Sequence, residues 1–333
     1  MKIRFKKIML LLGDLEKHKK LFLIFLMMCC GHIYAQEYPN KPVKIFGHGP
    51  GSTADYLSRI MAQKLTEKWN QPVIVDSRSG AGGTVPADIA AKSPADGYTL
   101  FMGHAGPMVS AVVLYPNLPY DPVKDLVGVS MVATGVTVMM VHPSIPANTV
   151  AEFIQYAKKR NDLNFSSAGN GTISHLTGEL FKQVTGVNMM HIPYKSAGAG
   201  LTALLANETQ VSFLSPVTAA AQLKTGKLKA LVVSTSDRFP GLPEIPSSSE
   251  AGLTGLDAKL WFGLFVAAKT PKVLIQKLNQ DITEILRRPE VKELFLKQGI
   301  QASPSSPESL DDFVKTEIKR WTPIIKTANI QAD

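Results

Sequence analysis

The sequence predicts a two-lobed α/β protein, and three observations lead to this class. Apolar strand-like segments alternate with amphipathic helix-like segments, which is typical of a mostly parallel sheet flanked by helices. The alternation pauses in one long β-branched run, residues 126–143, and then starts again. The chain has 333 residues, a length that suits two domains of ordinary size.

The first 35 residues are predicted to be a secretory signal peptide. They carry seven basic residues against Asp14 and Glu16, followed by an apolar run at 21–30 and a small residue, Ala35, at the expected cleavage site. The run is too short for a membrane-spanning helix, which needs about 20 apolar residues. Both cysteines, Cys29 and Cys30, lie in this segment. The mature chain is therefore expected to be exported and to have neither disulfide nor thiol chemistry.

The charge distribution argues against nucleic acid as a partner. The formal net charge is +9, and setting aside the seven basic and two acidic residues of the signal leaves +4. No basic run is interleaved with aromatic residues, so nucleic-acid binding is not predicted. A mild positive balance is compatible with an anionic ligand.

The first half of the mature chain contains three predicted strands with helices between them. The strands are 43–46, 72–76 and 98–103, and a helix at 54–69 joins the first two. A glycine-rich turn leads into a second helix within 79–92, and the third strand enters a turn at 104–107. The run 126–143 is predicted to be extended, broken at Gly128 and Gly135, and to carry the chain into the second lobe.

The second half repeats the alternation. Predicted helices are 150–160, 172–185, 199–206 and 216–225, and predicted strands are 163–167, 189–194, 209–214 and 228–234. A surface connection at 238–255 precedes a buried return strand at 261–267. Helices at 271–287, 289–297 and 307–328 end the chain, with prolines suited to the first turn.

The return strand makes the first lobe discontinuous. We expect lobe 1 to comprise residues 36–139 and 258–333, and lobe 2 to comprise residues 140–257. Two hinge strands then join the lobes, and ligand binding closes them by a hinge motion.

Two glycine-rich loops, each running from a strand into a helix, are the main functional signal. The first, at 47–55, offers Ser52 and Thr53; the second, at 166–172, offers Ser167, Asn170 and Thr172. Each leaves free backbone N–H groups at a helix N-terminus, where the peptide dipoles favour an anion. Two such loops predict two lobes that face one small anionic ligand.

A dinucleotide-binding fold is the rival interpretation of the first loop. Gly47 and Gly49 follow a strand, and Asp76 ends the next strand. The third glycine of that motif is replaced by Ser52, however, and Pro50 stiffens the turn.

Signatures of catalysis and of metal binding are missing from the mature sequence. It has no nucleophile elbow, no zinc-protease motif and no phosphate-loop lysine. We therefore predict a binding protein without catalytic residues, metal or cofactor. A ligand-sensing protein for a signalling partner and a secreted α/β enzyme stay open as alternatives.

Several segments, in order and spacing, resemble the substrate-binding proteins of the tripartite tricarboxylate transporter family, also called Bug proteins. The resemblance covers nearly the whole mature chain. It rests on GPGSTAD (49–55), SRSGAGGTVPADIAAKSPADGYTL (77–100), LPYDPVKDL (118–126), SSAGNGTISHLTGELF (166–181), HIPYKSAGAGLTALL (191–205), KTGKLKALVV (224–233) and WFGLF (261–265).

The resemblance implies a periplasmic-binding-protein fold of the Venus flytrap type, with an interdomain cleft that captures a small organic carboxylate. It also implies a location in the periplasm and permease subunits of a tripartite tricarboxylate-type transporter as partners; we expect a monomer. In this family, backbone N–H groups rather than arginine hold the carboxylate. Together with the loop analysis, this predicts the ligand-binding residues His48, Pro50, Gly51, Ser52, Thr53, Asp55, His104, Ala105, Gly106, Ser167, Ala168, Gly169, Asn170, Thr172, His175 and Ser215.

Three departures from the family pattern bear on the ligand. Gly47 and His48 replace a proline and an aromatic residue, and the GHAGP turn at 103–107 lacks the usual Ser/Thr pair. After the strand at 209–213, Leu214 and Ser215 stand where an acidic residue is often found. Without that carboxylate, a ligand with an ammonium group is disfavoured.

Overall fold

Two separate β-sheets organise the structure, a computed structural model that describes residues 38–78 and 80–332. The predicted signal peptide, residues 1–35, lies outside the described residues. The eleven strands are β1 (Val43–His48), β2 (Val73–Arg78), β3 (Thr99–His104), β4 (Leu126–Val136), β5 (Val138–Val141), β6 (Asn164–Ser167), β7 (Met190–Pro193), β8 (Val211–Leu214), β9 (Lys229–Val233), β10 (Lys259–Ala267) and β11 (Ile300–Ala302).

Helices connect and cover the strands. They are α1 (Thr53–Trp69), α2 (Thr84–Ala91), α3 (Ala111–Leu114), α4 (Val150–Ala157), α5 (Ile173–Thr185), α6 (Ala197–Leu205), α7 (Pro216–Lys224), α8 (Lys272–Arg287), α9 (Pro289–Leu296) and α10 (Pro307–Thr327). Within the described ranges, none of the helices is long and apolar enough to cross a membrane.

Each sheet contains an internal strand that runs against its neighbours, and the first sheet also has the short edge strand β11 antiparallel to β4. The first sheet has the order β11-β4-β10-β3-β1-β2, in which β1 is parallel to β2 and β3 while β10 is antiparallel to β3 and β4. The second has the order β7-β6-β8-β5-β9, with β5 antiparallel to both neighbours. Most strands of each sheet therefore run one way, and their carboxyl ends meet at one edge, where α/β proteins bind ligands.

Helix α1 illustrates how the sequence pattern selects the buried face. Its residues Leu57, Met61 and Leu65 recur every four positions and are fully buried. This spacing places them on one side of the helix, against the first sheet. Burying each of these side chains stabilises the fold by about 1.5–3 kcal/mol.

The predicted breaks at Gly128 and Gly135 are wrong, because β4 runs through both positions. Both glycines make room for a neighbouring element. A Cβ on Gly128 would lie 2.9 Å from Asp311 Oδ1, which accepts a hydrogen bond from the Gly128 N–H at 2.7 Å. A Cβ on Gly135 would lie 3.1 Å from Ile300 Cγ2 on β11, a three-residue strand that the sequence did not reveal.

The predicted turn at 104–107 is also different in the structure. The chain there enters a π-helical turn, Gly106–Ser110, which continues into α3. A Cβ on Gly106 would overlap the carbonyl oxygen of Gly82. The glycine therefore permits two backbones to approach closely. The sequence pattern alone predicts a turn there, because the partner backbone is distant in sequence.

The two sheets are joined where the chain crosses from β4 to β5 and from β9 to β10. At this crossing the Ser234 N–H donates to Thr137 O at 2.9 Å, and the Ala258 N–H donates to Ser234 O at 2.7 Å. The Ser234 hydroxyl accepts from the Thr137 N–H at 3.1 Å and donates to Ala258 O at 2.6 Å. All three residues are buried, so one serine fastens both connections to each other.

Replacing Ser234 by Ala is expected to lower the free energy of unfolding by about 1–3 kcal/mol, because the Thr137 N–H loses its buried acceptor. Urea unfolding measures this change, with the exposed Ser236→Ala as the matched control. Equal stability of both variants would contradict a fastening role for the Ser234 hydroxyl.

Candidate functional site

A cleft between the two sheets, partly open to solvent, contains a cavity of about 70 Å³. Both sheets and the crossing contribute to the lining. The lining residues are His48, Ser52, Thr53, Ala54, His104, Thr137, Ala168, Thr172, Ile173, Ser174, Ala197, Phe213, Leu214, Ser215, Thr218, Leu260 and Phe262.

Four helices begin at this cleft. Helix α1 starts there from the first sheet, and α5, α6 and α7 start there from the second. First-turn amides have no acceptor within their own helix, and each helix start carries a partial positive charge. No Lys, Arg, Asp or Glu is among the residues that line the cleft in the described part of the chain. The cleft thus presents amides and hydroxyls, without a charged side chain.

The loop before α1 is held in place by its own cap. The Ser52 hydroxyl accepts from the Asp55 N–H at 3.1 Å and donates to His48 O at 3.2 Å. The Asp55 carboxylate accepts from Arg59 at 3.1 Å and from the Ser77 hydroxyl. Because Asp55 is occupied by these partners and does not line the cleft, it braces the loop.

Two stacked imidazoles form one wall of the cleft. His48 ends β1 and His104 ends β3, and their rings lie 5.3 Å apart at an angle of 17°. Burial lowers the pKa of His48 to about 4 and, with the neighbouring His48, holds the pKa of His104 well below its usual range. Both rings are therefore neutral at pH 7, and the Nε2 atom of each is buried without a partner.

The loop before α5 is internally hydrogen-bonded. The Ser167 hydroxyl accepts from the Gly169 N–H at 3.1 Å, donates to Gly169 O at 3.1 Å and contacts His191 Nε2 at 2.6 Å. The Thr172 hydroxyl donates to Gly169 O at 2.7 Å. These bonds shape the loop so that Thr172 and Ser174 line the cleft, whereas Ser167 lies behind it.

A second pair of stacked histidines supports this loop from behind. His175 and His191 have ring centroids 3.5 Å apart, and His175 Nδ1 accepts from the Gly171 N–H at 3.2 Å. Desolvation and the nearby Lys182 lower the pKa of His191 to about 4; desolvation, His191 and Lys182 lower that of His175 to about 2. A His175 ring that is neutral at Nδ1 can accept the hydrogen bond from Gly171; a ring protonated at that nitrogen cannot.

The same loop touches the first sheet's side of the molecule. A Cβ on Gly171 would overlap Leu114 Cδ1 and lie 3.1 Å from Ser110 Cβ. A Cβ on Gly82 would lie 3.1 Å from the Asn170 carbonyl oxygen. Asn170 and Gly171 therefore contact the first sheet's side across the cleft.

The structure brings some of the sixteen predicted residues to the cleft. Seven line it: His48, Ser52, Thr53, His104, Ala168, Thr172 and Ser215. Nine do not: Pro50 and Gly51 are exposed, Asp55, Ala105, Gly106, Ser167, Gly169 and His175 lie behind the lining, and Asn170 lies at the contact across the cleft.

Ten lining residues were not predicted: Ala54, Thr137, Ile173, Ser174, Ala197, Phe213, Leu214, Thr218, Leu260 and Phe262. The first-turn residues Ala54, Ile173 and Ser174 follow directly from the rule that helix starts bind anions. Thr218 lies one turn after Ser215 on α7 and shares its face. Leu260 and Phe262 alternate on β10, whose neighbours only the tertiary structure identifies. In the described ranges, no group of three or more His, Cys, Asp or Glu could hold a metal ion.

Comparison with known proteins agrees with this architecture. Residues 57–330 match the model of the tripartite tricarboxylate transporter family receptor. The chain is 32% identical to protein BugT of Bordetella pertussis over 297 residues, covering 88% of this chain and 91% of BugT.

Solved structures extend the similarity to the fold. Rpa4515 of R. palustris, solved with adipate, has a TM-score of 0.86 and 31% identity, covering 89% of this chain and 99% of that one. MatC from Rhodopseudomonas palustris, with bound malate, has a TM-score of 0.80 and 29% identity, covering 86% and 100%. The two-lobed α/β prediction is confirmed, and the chain belongs to the tripartite tricarboxylate transporter receptor family of periplasmic solute-binding proteins.

Proposed function

We propose that this protein captures a small organic carboxylate in the cleft and delivers it to the membrane permease of a tripartite tricarboxylate-type transporter. The observation that carries this proposal is the meeting of helix starts from both sheets at a cleft whose lining has no charged side chain. Adipate and malate, which are present in the structures of Rpa4515 and MatC, support the choice of a carboxylate.

The carboxylate is recognised by backbone amides. The first-turn N–H groups of Thr53 and Ala54 on α1, and of Ile173 and Ser174 on α5, belong to residues that line the cleft. Oriented amides are uncharged. They therefore stabilise an anion without requiring that a cation be buried and desolvated as well. Contacts from both sheets to one ligand are expected to draw the two lobes together on binding.

A proline substitution tests the amide of Thr53 directly. Thr53 is the first residue of α1, where proline is tolerated, and Ser52 has φ −83° and ψ 160°, which suits a residue before proline. Thr53→Pro removes the N–H together with the hydroxyl, whereas the matched Thr53→Val removes only the hydroxyl. Since a hydrogen bond to a charged group contributes about 1.5–3 kcal/mol, Thr53→Pro is expected to bind carboxylates at least about tenfold more weakly than Thr53→Val.

Isothermal titration calorimetry of the mature chain with mono- and dicarboxylates gives these affinities. Equal affinities of the two variants would rule out the Thr53 amide as a ligand donor. Failure of every carboxylate to bind the unmodified protein would overturn carboxylate capture itself.

We propose that residues 1–35 direct the protein to the periplasm and are removed there, and that the mature protein acts as a monomer. Mass spectrometry of the secreted protein gives the cleavage site, and light scattering gives the oligomeric state.

The permease contact can be tested by transport of the bound acid into vesicles that contain the permease subunits, with and without this protein.

A further inference from the structure

Four polar atoms at the cleft remain without hydrogen-bond partners in the described structure. They are His48 Nε2, His104 Nε2, Ser215 Oγ and Thr218 Oγ1. Leaving such a group buried and unpaired is costly, because it loses its hydrogen bonds to water without replacement. What distinguishes these four from the other buried side-chain atoms without hydrogen-bond partners in the described residues is that they line one cavity, where a ligand group can pair with them.

All four groups are uncharged. The Gly106 N–H donates to His104 Nδ1 at 3.3 Å, so a neutral His104 carries its proton on Nε2 and offers a donor there. Burial keeps both imidazoles neutral at pH 7 by lowering the pKa of each. The hydroxyls of Ser215 and Thr218 can donate or accept. Together the four groups match a neutral hydrogen-bonding group on the ligand.

The start of α7 is poorly equipped for a second anion. Pro216, its first residue, has no N–H, and the Thr218 N–H already donates to Ser215 O at 3.0 Å. Ser215, the residue before the helix, does not cap it with its side chain. At the start of α7, the cleft therefore offers hydroxyls where α1 and α5 offer free amides.

Apolar side chains form the rest of the lining. Phe213 and Leu214 come from β8, and Leu260 and Phe262 come from β10. A second carboxylate beside Ser215 and Thr218 would have neither a cation nor the free amides that α1 and α5 offer, and an ammonium there would be buried without an acid; either is costly.

We propose that the cleft selects a monocarboxylate with an apolar body and one uncharged hydrogen-bonding group, which His48, His104, Ser215 and Thr218 receive. This inference rests on the proposed carboxylate capture and narrows its ligand class. It predicts that, among ligands of the same chain length, the protein binds those with one charge more tightly than those with two.

A matched series of straight-chain acids tests this selection. Hexanoate, 6-hydroxyhexanoate, 6-aminohexanoate and adipate share six carbons and differ only at the end opposite one carboxylate. The four-carbon series of butyrate, 4-hydroxybutyrate, 4-aminobutyrate and succinate repeats the comparison at a shorter length. Calorimetry with the mature protein is expected to give the tightest binding for a hydroxy acid, about tenfold tighter than its unsubstituted acid. The diacids and amino acids are expected to bind most weakly.

Variants connect the preference to the proposed residues. Thr218→Val removes a hydroxyl at nearly constant shape, and is expected to weaken the hydroxy acid several-fold more than it weakens the unsubstituted acid. Thr225→Val at the end of the same helix, outside the cleft lining, is the matched control. A merely structural role of Thr218 would change both affinities together.

The outcomes separate this inference from the proposed function. Tighter binding of adipate or succinate than of the hydroxy acids overturns the single-charge selection and leaves carboxylate capture intact. Equal binding of the hydroxy and unsubstituted acids overturns the proposal that these four side chains bind an uncharged hydrogen-bonding group of the ligand. Absence of binding by all eight acids overturns both proposals.

Discussion

The free energy of unfolding is expected to fall steeply as the pH decreases from 6.5 to 4, because histidines that are buried and neutral in the folded protein become protonated when it unfolds. The pKa of His48 and of His191 is lowered to about 4, and that of His175 to about 2. Between the folded and unfolded pKa values, the unfolded chain binds more protons, so each pH decrease favours unfolding.

His48 allows an estimate of the size. Its pKa falls from 6.5 to about 4 through desolvation, which amounts to about 3 kcal/mol of stability lost once the pH reaches 4. Above pH 6.5 this histidine makes no pH-dependent contribution, because it is neutral in both states. The loss for His175 continues below pH 4, because its folded pKa is lower still.

Urea unfolding at half-unit steps from pH 7.5 to 4.5 measures this dependence. His48→Gln cannot take up the proton, so its stability curve is expected to be flatter by up to about 1.4 kcal/mol per pH unit. His142→Gln is the control, because His142 follows β5 at a partly exposed position and bonds Ser144. If the slopes of the unmodified protein and of His48→Gln coincide, burial does not hold His48 neutral.

Replacing Gly171 by Ala is expected to abolish tight ligand binding while both sheets stay folded. Gly171 has φ +70°, and a Cβ there would overlap Leu114 and lie 3.1 Å from Ser110 Cβ. Overpacking of a closed contact costs about 1–3 kcal/mol. We expect this cost to fall on the closed arrangement, since Leu114 and Ser110 lie across the cleft from Gly171. Ligand affinity is therefore expected to drop by at least about tenfold.

Gly186 offers a matched control on the same helix. It follows α5 with φ +68°, nearly the same backbone conformation as Gly171, and a Cβ there would meet nothing within 4 Å. Gly186→Ala thus carries the backbone strain of a left-handed alanine, about 1–2 kcal/mol, without the collision. Calorimetry with the best-binding acid, together with small-angle X-ray scattering, compares affinity and closure. Equal affinities in the two variants would exclude the Gly171 contact from ligand binding.

Local sequence rules predicted much of the backbone. The strand before each glycine-rich loop and the helix after it follow from apolar periodicity, and Ser52 caps α1 as its position indicates. The glycines of β4 were misinterpreted because the partners that require them, Asp311 and Ile300, lie far away in sequence.

The sequence by itself determined the class of this protein: two α/β sheets, and loops that bring helix starts toward an anion. It could do so because capping, periodicity and dipoles act within a few residues of one another. Only the tertiary structure decided which side chains face the ligand. The Ser167 side chain does not line the cleft, and its hydroxyl contacts His191 on another strand instead. The apolar wall of Phe213 and Phe262 arose because reversed and crossing strands bring distant segments to one cleft, and such contacts depend on packing between elements rather than on local pattern.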